Sequence, residues 1–239
     1  MLPPHTFEYG HNAIFIDNAG EVQIGRNDST QRNLIHDVVS GIMVDSSDVQ
    51  VFAQEIYTLR NQAVLQQYQP GIGICVFVQG APGFNQTTNY TAQIGGNDQR
   101  GNVFRNADGG VWIWDNYHAD IRGNRLETIF GLGIYGDRLR DKEVLIKENR
   151  LQAARFGISV FESQDASIMI IDNVIRDSED GIYALMNTSA ELDIKRNDLE
   201  STSLLDAEGI HVADMGIFGL DSVGYTLIKN NEILLTGTG

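Results

Sequence analysis

The chain has 239 residues, 42% of them hydrophobic, and a formal net charge of −15 from 32 acidic and 17 basic side chains. That balance argues against nucleic acid or an anionic membrane surface as partner, because phosphate groups are held by basic footprints. The most apolar short segment, residues 71–78, is far too short to cross a bilayer, so no membrane insertion is expected. Met1 to His5 lack the charged and apolar regions of a signal peptide, and the single cysteine, Cys75, leaves no internal disulfide.

In chain order, Asn12-Ala13-Ile14-Phe15-Ile16-Asp17 alternates as a half-buried strand does. Val22-Gln23-Ile24-Gly25, Asn33-Leu34-Ile35 and Gly41-Ile42-Met43-Val44-Asp45 read as three further short strands. A degenerate copy follows at Val49 to Ile56, with Gln54 standing where the other copies carry Asn. Its last strand, Ile74-Cys75-Val76-Phe77, arrives only after a long spacer. Loops are expected at 57–72 and 79–90, with Val64 to Tyr68 as a helical turn over Phe77. Both loops should emerge on the same side of the molecule, as functional insertions in repeat proteins do.

The arrangement returns at Gln93-Ile94-Gly95-Gly96, Asn102-Val103-Phe104 and Gly110-Val111-Trp112-Ile113-Trp114. From Ala119 to Leu199 it becomes regular. Asn124, Asn149, Asn173 and Asn197 are spaced by 25, 24 and 24 residues, and Gly133, Gly157 and Gly181 by 24. Gly209-Ile210-His211-Val212 and Tyr225 to Ile233 continue the series. A fixed period of this size means one supersecondary unit stacked on copies of itself. An evenly spaced β-sandwich would need neither the constant period nor an Asn in register.

Period-2 alternation places Ile121, Ile146, Ile170, Ile194 and Ile228 on one inward row. Leu126, Leu151, Ile175, Leu199 and Ile233 form a second row, and Ile134, Ile158, Ile182 and Ile210 a third. Three such rows enclose a tube of about eight coils in one all-β domain spanning 1–239. The Asn of each coil is expected at a tight corner, in left-handed backbone, with its amide paired to the copies above and below. Neither end carries the amphipathic capping helix usual in solenoids. The expectation is therefore a segment of a longer chain, or ends covered by flanking domains or a homo-oligomer.

This Ile-x-x-Asn-x-Ile…Gly-Ile frame, running from about Asn12 to Ile233, resembles the right-handed parallel β-helices of the pectin-lyase-like superfamily, especially the CASH/NosD-type repeats. The block Ile94-Gly95-Gly96…Gly101-Asn102-Val103-Phe104 looks like repeats of large secreted bacterial β-helix proteins. The resemblance implies a right-handed coil, a binding groove on the sheet of Gly-Ile strands, a polysaccharide or glycan partner and an extracellular or cell-surface setting. It does not choose an activity, since that superfamily holds lyases, hydrolases, epimerases, tailspikes and non-catalytic adhesins. The calcium-binding Asp set of pectate lyases is not visible, nor are the Asn-Thr-Asp, Asp-Asp, His-Gly and Arg-Ile-Lys motifs of polygalacturonases or the Asp-Pro-His-Glu of mannuronan epimerases. No metal or cofactor is expected, calcium being the one ion the resemblance would admit.

By parity, the Gly-Ile strands turn two rows outward. One row is Phe15, Met43, Cys75, Trp112, Tyr135, Ser159, Tyr183 and His211. The other is Asp17, Asp45, Phe77, Trp114, Asp137, Phe161, Leu185 and Ala213. Trp112, Trp114, Tyr135, Phe161, Tyr183 and His211 are the candidate binding residues, because aromatic faces stack on the C–H faces of sugar rings. An exposed apolar patch of that size marks an interaction site, unless a loop or a second subunit covers it. Asp137, flanked by Trp114 and Phe161, is the candidate general acid, with Asp115 or Glu162 on adjoining coils as its partner. His118, Arg122, Arg138 and Arg140 form no recognisable cluster in the sequence. Two readings follow: a glycan-binding domain, with or without lyase or glycosidase activity, and a non-catalytic structural module of a surface or fibre protein.

Overall fold

The computed structural model describes residues 12–25, 32–38, 40–58, 72–77, 90–97, 100–115, 117–152, 155–185, 190–201, 208–213 and 225–235. Most of the two expected loops, including the helical turn at Val64 to Tyr68, lies outside these residues. Every regular element described is a strand, and the strands form three parallel eight-stranded sheets. Each coil gives one strand to each sheet, so neighbours in a sheet come from successive coils.

Sheet 1 is built from Asn12–Asp17, Ser40–Asp45, Ile72–Phe77, Gly109–Trp114, Leu132–Asp137, Phe156–Phe161, Asp180–Leu185 and Glu208–Ala213. In the regular coils, sheet 2 holds Tyr117–Arg122, Glu143–Lys147, Ser167–Ile171 and Glu191–Lys195. Sheet 3 holds Arg125–Glu127, Arg150–Gln152, Val174–Arg176 and Asp198–Ser201. The three inward rows are in direct register: Ile121 with Ile146, Leu126 with Leu151, Ile134 with Ile158, and so on along the tube. They merge into one core from Ile24 to Leu199. In the last described coil, Ile228 and Ile233 are about half exposed.

The corner between sheets 2 and 3 is held by a column of buried amides. Asn124 Nδ2 donates to Asn149 Oδ1 (3.0 Å) and to the Ile94 carbonyl (2.9 Å), while its backbone N–H also donates to Asn149 Oδ1 (3.0 Å). The same set recurs at Asn149, Asn173 and Asn197. Asn102 joins from the preceding side. Gln54 takes the equivalent place between Asn33 and Asn102, as its position in the degenerate copy implies. Each repeating amide thereby uses both donor hydrogens and both lone pairs of its oxygen.

The left-handed backbone is not at the Asn itself. It falls one residue earlier, at Gly123, Glu148, Asp172, Arg196 and Asn230, and at Ala53 before Gln54. That residue makes the turn, which leaves the Asn free to point its amide into the tube. The Gly of the Gly-Ile pair is fixed by close approach instead. A Cβ on Gly157 would lie 2.4 Å from the Gly181 carbonyl oxygen and 2.7 Å from Ile175 Cγ2.

Asn149→Ala takes the acceptor from the Asn124 backbone N–H and from one Asn124 amide hydrogen, and the donor from the Ile121 carbonyl, while Asn173 Oδ1 keeps only the backbone N–H of residue 149. At about 1–3 kcal/mol for each buried group left unsatisfied, the loss should reach roughly 3–6 kcal/mol. Urea denaturation followed by circular dichroism reads it directly. A loss below about 1 kcal/mol would mean the column contributes little to stability.

Candidate functional site

The outer face of sheet 1 carries the predicted rows in the predicted order. Met43, Cys75, Trp112, Tyr135, Ser159, Tyr183 and His211 are register partners in succession, as are Trp114, Asp137, Phe161, Leu185 and Ala213. Neither tryptophan enters the tube. The side chain of His211 is outside the described residues, so only its backbone position beside Tyr183 is fixed.

The face divides into two parts. Towards the N-terminal coils, Met43, Ile72, Cys75, Phe77 and Trp114 form a second apolar cluster separate from the tube core, with Trp112 and Tyr135 packed on its edge. Trp114 is only 8% exposed, so it is a floor of the patch and not a displayed ring, contrary to its expected place on the surface. Burial pushes the Cys75 thiol up, away from thiolate formation.

From Trp112 onward, part-exposed aromatics run in an unbroken line. Ring centroids are 5.4 Å apart for Trp112 and Tyr135, 5.6 Å for Tyr135 and Phe161, and 5.4 Å for Phe161 and Tyr183. Phe156 closes on Tyr183 at 5.7 Å, with the Arg155 guanidinium 5.3 Å over its ring.

Two small residues make the line continuous. Ser159, between Tyr135 and Tyr183, is fully buried, so the ring of Phe161 from the neighbouring row bridges the two tyrosines. Gly109 lies beneath Trp112, and a Cβ there would sit 2.6 Å from the indole Nε1. Both the Trp112 Nε1 and the Ser159 hydroxyl are buried without a hydrogen-bond partner in the protein.

The carboxylates lie along the edge where sheet 1 ends. Asp115, Arg138 and Glu162 occupy one corner in successive coils. All three have left-handed backbone (φ 58°, 53° and 47°), and each donates its N–H to the carbonyl of the next coil. Asp137 precedes this corner, and its side chain is 15% exposed. Arg138 Nε is 3.5 Å from Asp137 Oδ2 and 3.6 Å from Asp115 Oδ1. Those two oxygens are therefore no more than about 7 Å apart, within the range of paired carboxylates in glycoside hydrolysis.

Glu162 acts on Asp137 through its charge, from an exposed position on the following coil. Burial pushes the Asp137 carboxyl up to about 6, opposed by Arg138 and by a hydrogen bond from the Tyr135 hydroxyl, and reinforced by Glu162 and Asp115. Burial also raises Asp115, against the pull of Arg138 and Arg140.

Arg138 thus belongs to the site, although the sequence offered it only as one of several scattered cations. Of the other scattered groups, His118 accepts a hydrogen bond from the Glu143 N–H on sheet 2, and Arg122 pairs with Asp120 there. Among the described residues, no three His, Cys, Asp or Glu side chains gather as metal ligands would.

Residues 12–199 match the family described as "Right handed beta helix region". The chain belongs to that family. Among curated proteins no sequence relative matches. A solved structure of a GH136 lacto-N-biosidase from Eubacterium ramulus, a selenomethionine derivative, aligns at 11% identity and a TM-score of 0.34. The alignment covers 82% of this chain and 51% of that one. The chain thus spans about half the length of that enzyme.

The raised Asp137 carboxyl has a consequence for stability. A native value near 6 against about 3.9 in the unfolded chain favours the protonated form in the fold. Stability from this group is complete below about pH 4 and falls as pH rises through 6, by roughly 2–3 kcal/mol. Asp137→Asn should therefore match the wild type near pH 4 and exceed it by about 2 kcal/mol at pH 7, read from urea midpoints. A wild type more stable than the variant at pH 7 would show that the ion pair with Arg138 outweighs burial.

Proposed function

We propose that the outer face of sheet 1 binds a polysaccharide or glycan, in an extracellular or cell-surface setting. The observation that carries this reading is the part-exposed line Trp112–Tyr135–Phe161–Tyr183, one aromatic position per coil. Rings at such intervals offer apolar faces to sugar C–H groups, while the Tyr135 hydroxyl, which donates to Asp137, keeps its oxygen lone pairs for a sugar hydroxyl.

In the same reading Asp137 is the group equipped for proton transfer. It is shielded, raised to about 6 and placed beside the line, so it holds a proton in mildly acidic solution as a general acid must. Asp115 is the partner carboxylate within reach. A non-catalytic structural module is the second reading, and one observation favours it. Arg138 already pairs with both Asp115 and Asp137, which is how a structural ion-pair cluster is built.

A glycan array and affinity gels separate the two. The wild type should be retained by at least one polysaccharide, and Trp112→Ala should weaken retention about tenfold or more. Gly109→Ala should do so to a lesser degree, by tilting the indole without removing it. On the retained glycan, product release near pH 5–6 that Asp137→Asn abolishes would add cleavage. A wild type silent on every polysaccharide leaves the structural reading standing.

A further inference from the structure

We infer that the aromatic line takes an uncharged glycan lying along the tube axis, and that it rejects polyuronates; this rests on the glycan-binding reading above. The orientation follows from the register. Trp112, Tyr135, the Ser159–Phe161 position and Tyr183 come from four successive coils, and their backbones pair directly. Three coil steps of about 4.8 Å make a platform about 14 Å long, with each step close to the length of one pyranose unit in an extended chain. A glycan crossing the sheet at right angles would meet one coil and one or two rings. A glycan laid along the axis meets all four positions.

The charge preference follows from what borders the platform. On the side where sheet 1 ends stand Asp115, Asp137 and Glu162. On the side where it begins stand Asp108, Glu179 and Asp180. The arginines at these borders are Arg138, Arg140 and Arg155. Arg138 is held between Asp115 and Asp137, and Arg155 pairs with Glu179 at 3.0 Å while lying over Phe156. Arg140 acts on Asp115. A uronate chain brings one carboxylate per sugar, and each would approach a border where acids outnumber arginines and two of the three arginines are already in ion pairs. Like-charge approach to these acidic borders disfavours binding. Neutral sugars meet no such barrier. Their hydroxyls suit the outer carboxylate oxygens and the Tyr135 hydroxyl oxygen.

The test is titration calorimetry of the full chain at low and high salt. The probes are neutral oligosaccharides of two, four and six units from the gluco, xylo, manno and N-acetylated chito series, with polygalacturonate and alginate beside them. The expected result is binding of at least one neutral series. Its affinity should rise about tenfold from two to four units, change little with salt, and lose the length gain in Tyr183→Ala. The uronates should show no binding at low salt.

A uronate bound at low salt whose affinity falls in Trp112→Ala would overturn the charge preference while upholding glycan binding on this face. A neutral series whose affinity is the same at two, four and six units would overturn the axial orientation. Absence of binding by every probe would overturn both this inference and the reading on which it rests. Near-ultraviolet circular dichroism of each variant confirms that the fold is retained.

Discussion

Each amide in the column from Asn124 to Asn197 satisfies four hydrogen-bonding positions, and it can do so only when successive coils sit in one register. A slip of one residue on any sheet would turn the isoleucines outward and carry the Asn off its corner at the same time. Hydrophobic alternation alone leaves a parallel tube free to slide by two residues, because the inward rows are nearly uniform in Ile and Leu. The amides remove that freedom, since a buried polar group without its partner costs more than the neighbouring aliphatic contacts would recover. The core supplies most of the driving force, and the amide column selects one alignment from several that would bury similar area.

The outer face inherits that alignment. Among the described residues sheet 1 has no comparable column at the aromatic positions, so the order of rings from Trp112 to Tyr183 is set by the locked coils behind it. The corner after sheet 1 shows the same inheritance in charged form. Asp115, Arg138 and Glu162 share one backbone conformation and one hydrogen-bonding role, and only their side chains differ. A structural position that recurs from coil to coil has here been given alternating charge. That alternation places a cation between two carboxylates beside the aromatic platform.

Much of this was legible in the sequence, for a definite reason. Strand parity has period 2 and the coil has period 24, so two regularities fix which side chains share a row. Both outward rows of sheet 1 could be read before any coordinate was known. The left-handed turn could not be placed, because the residues that make it (Gly123, Glu148, Asp172 and Arg196) have no type in common. Only Gly123 belongs to the residues that favour such backbone at no steric cost.

The burial of Trp114 also escaped parity, which gives direction and not cover. The sequence could not say that Met43, Cys75 and Phe77 on neighbouring strands would form a cluster with it. Arg138 was missed for a different reason. Its signal lies in equivalence of position and not in chemical type, Arg138 standing one repeat beyond Asp115 and one before Glu162.

The account depends on the amides of Asn124, Asn149, Asn173 and Asn197 being shut inside the tube and bonded in series. Hydrogen exchange at their side-chain NH2 groups, followed by nuclear magnetic resonance, tests this at the atoms concerned. The account predicts exchange slowed by several orders of magnitude relative to an exposed Asn, and comparable to that of the sheet amides around them. Exchange of these groups at the rate of exposed amides, in a chain that remains folded, would contradict it.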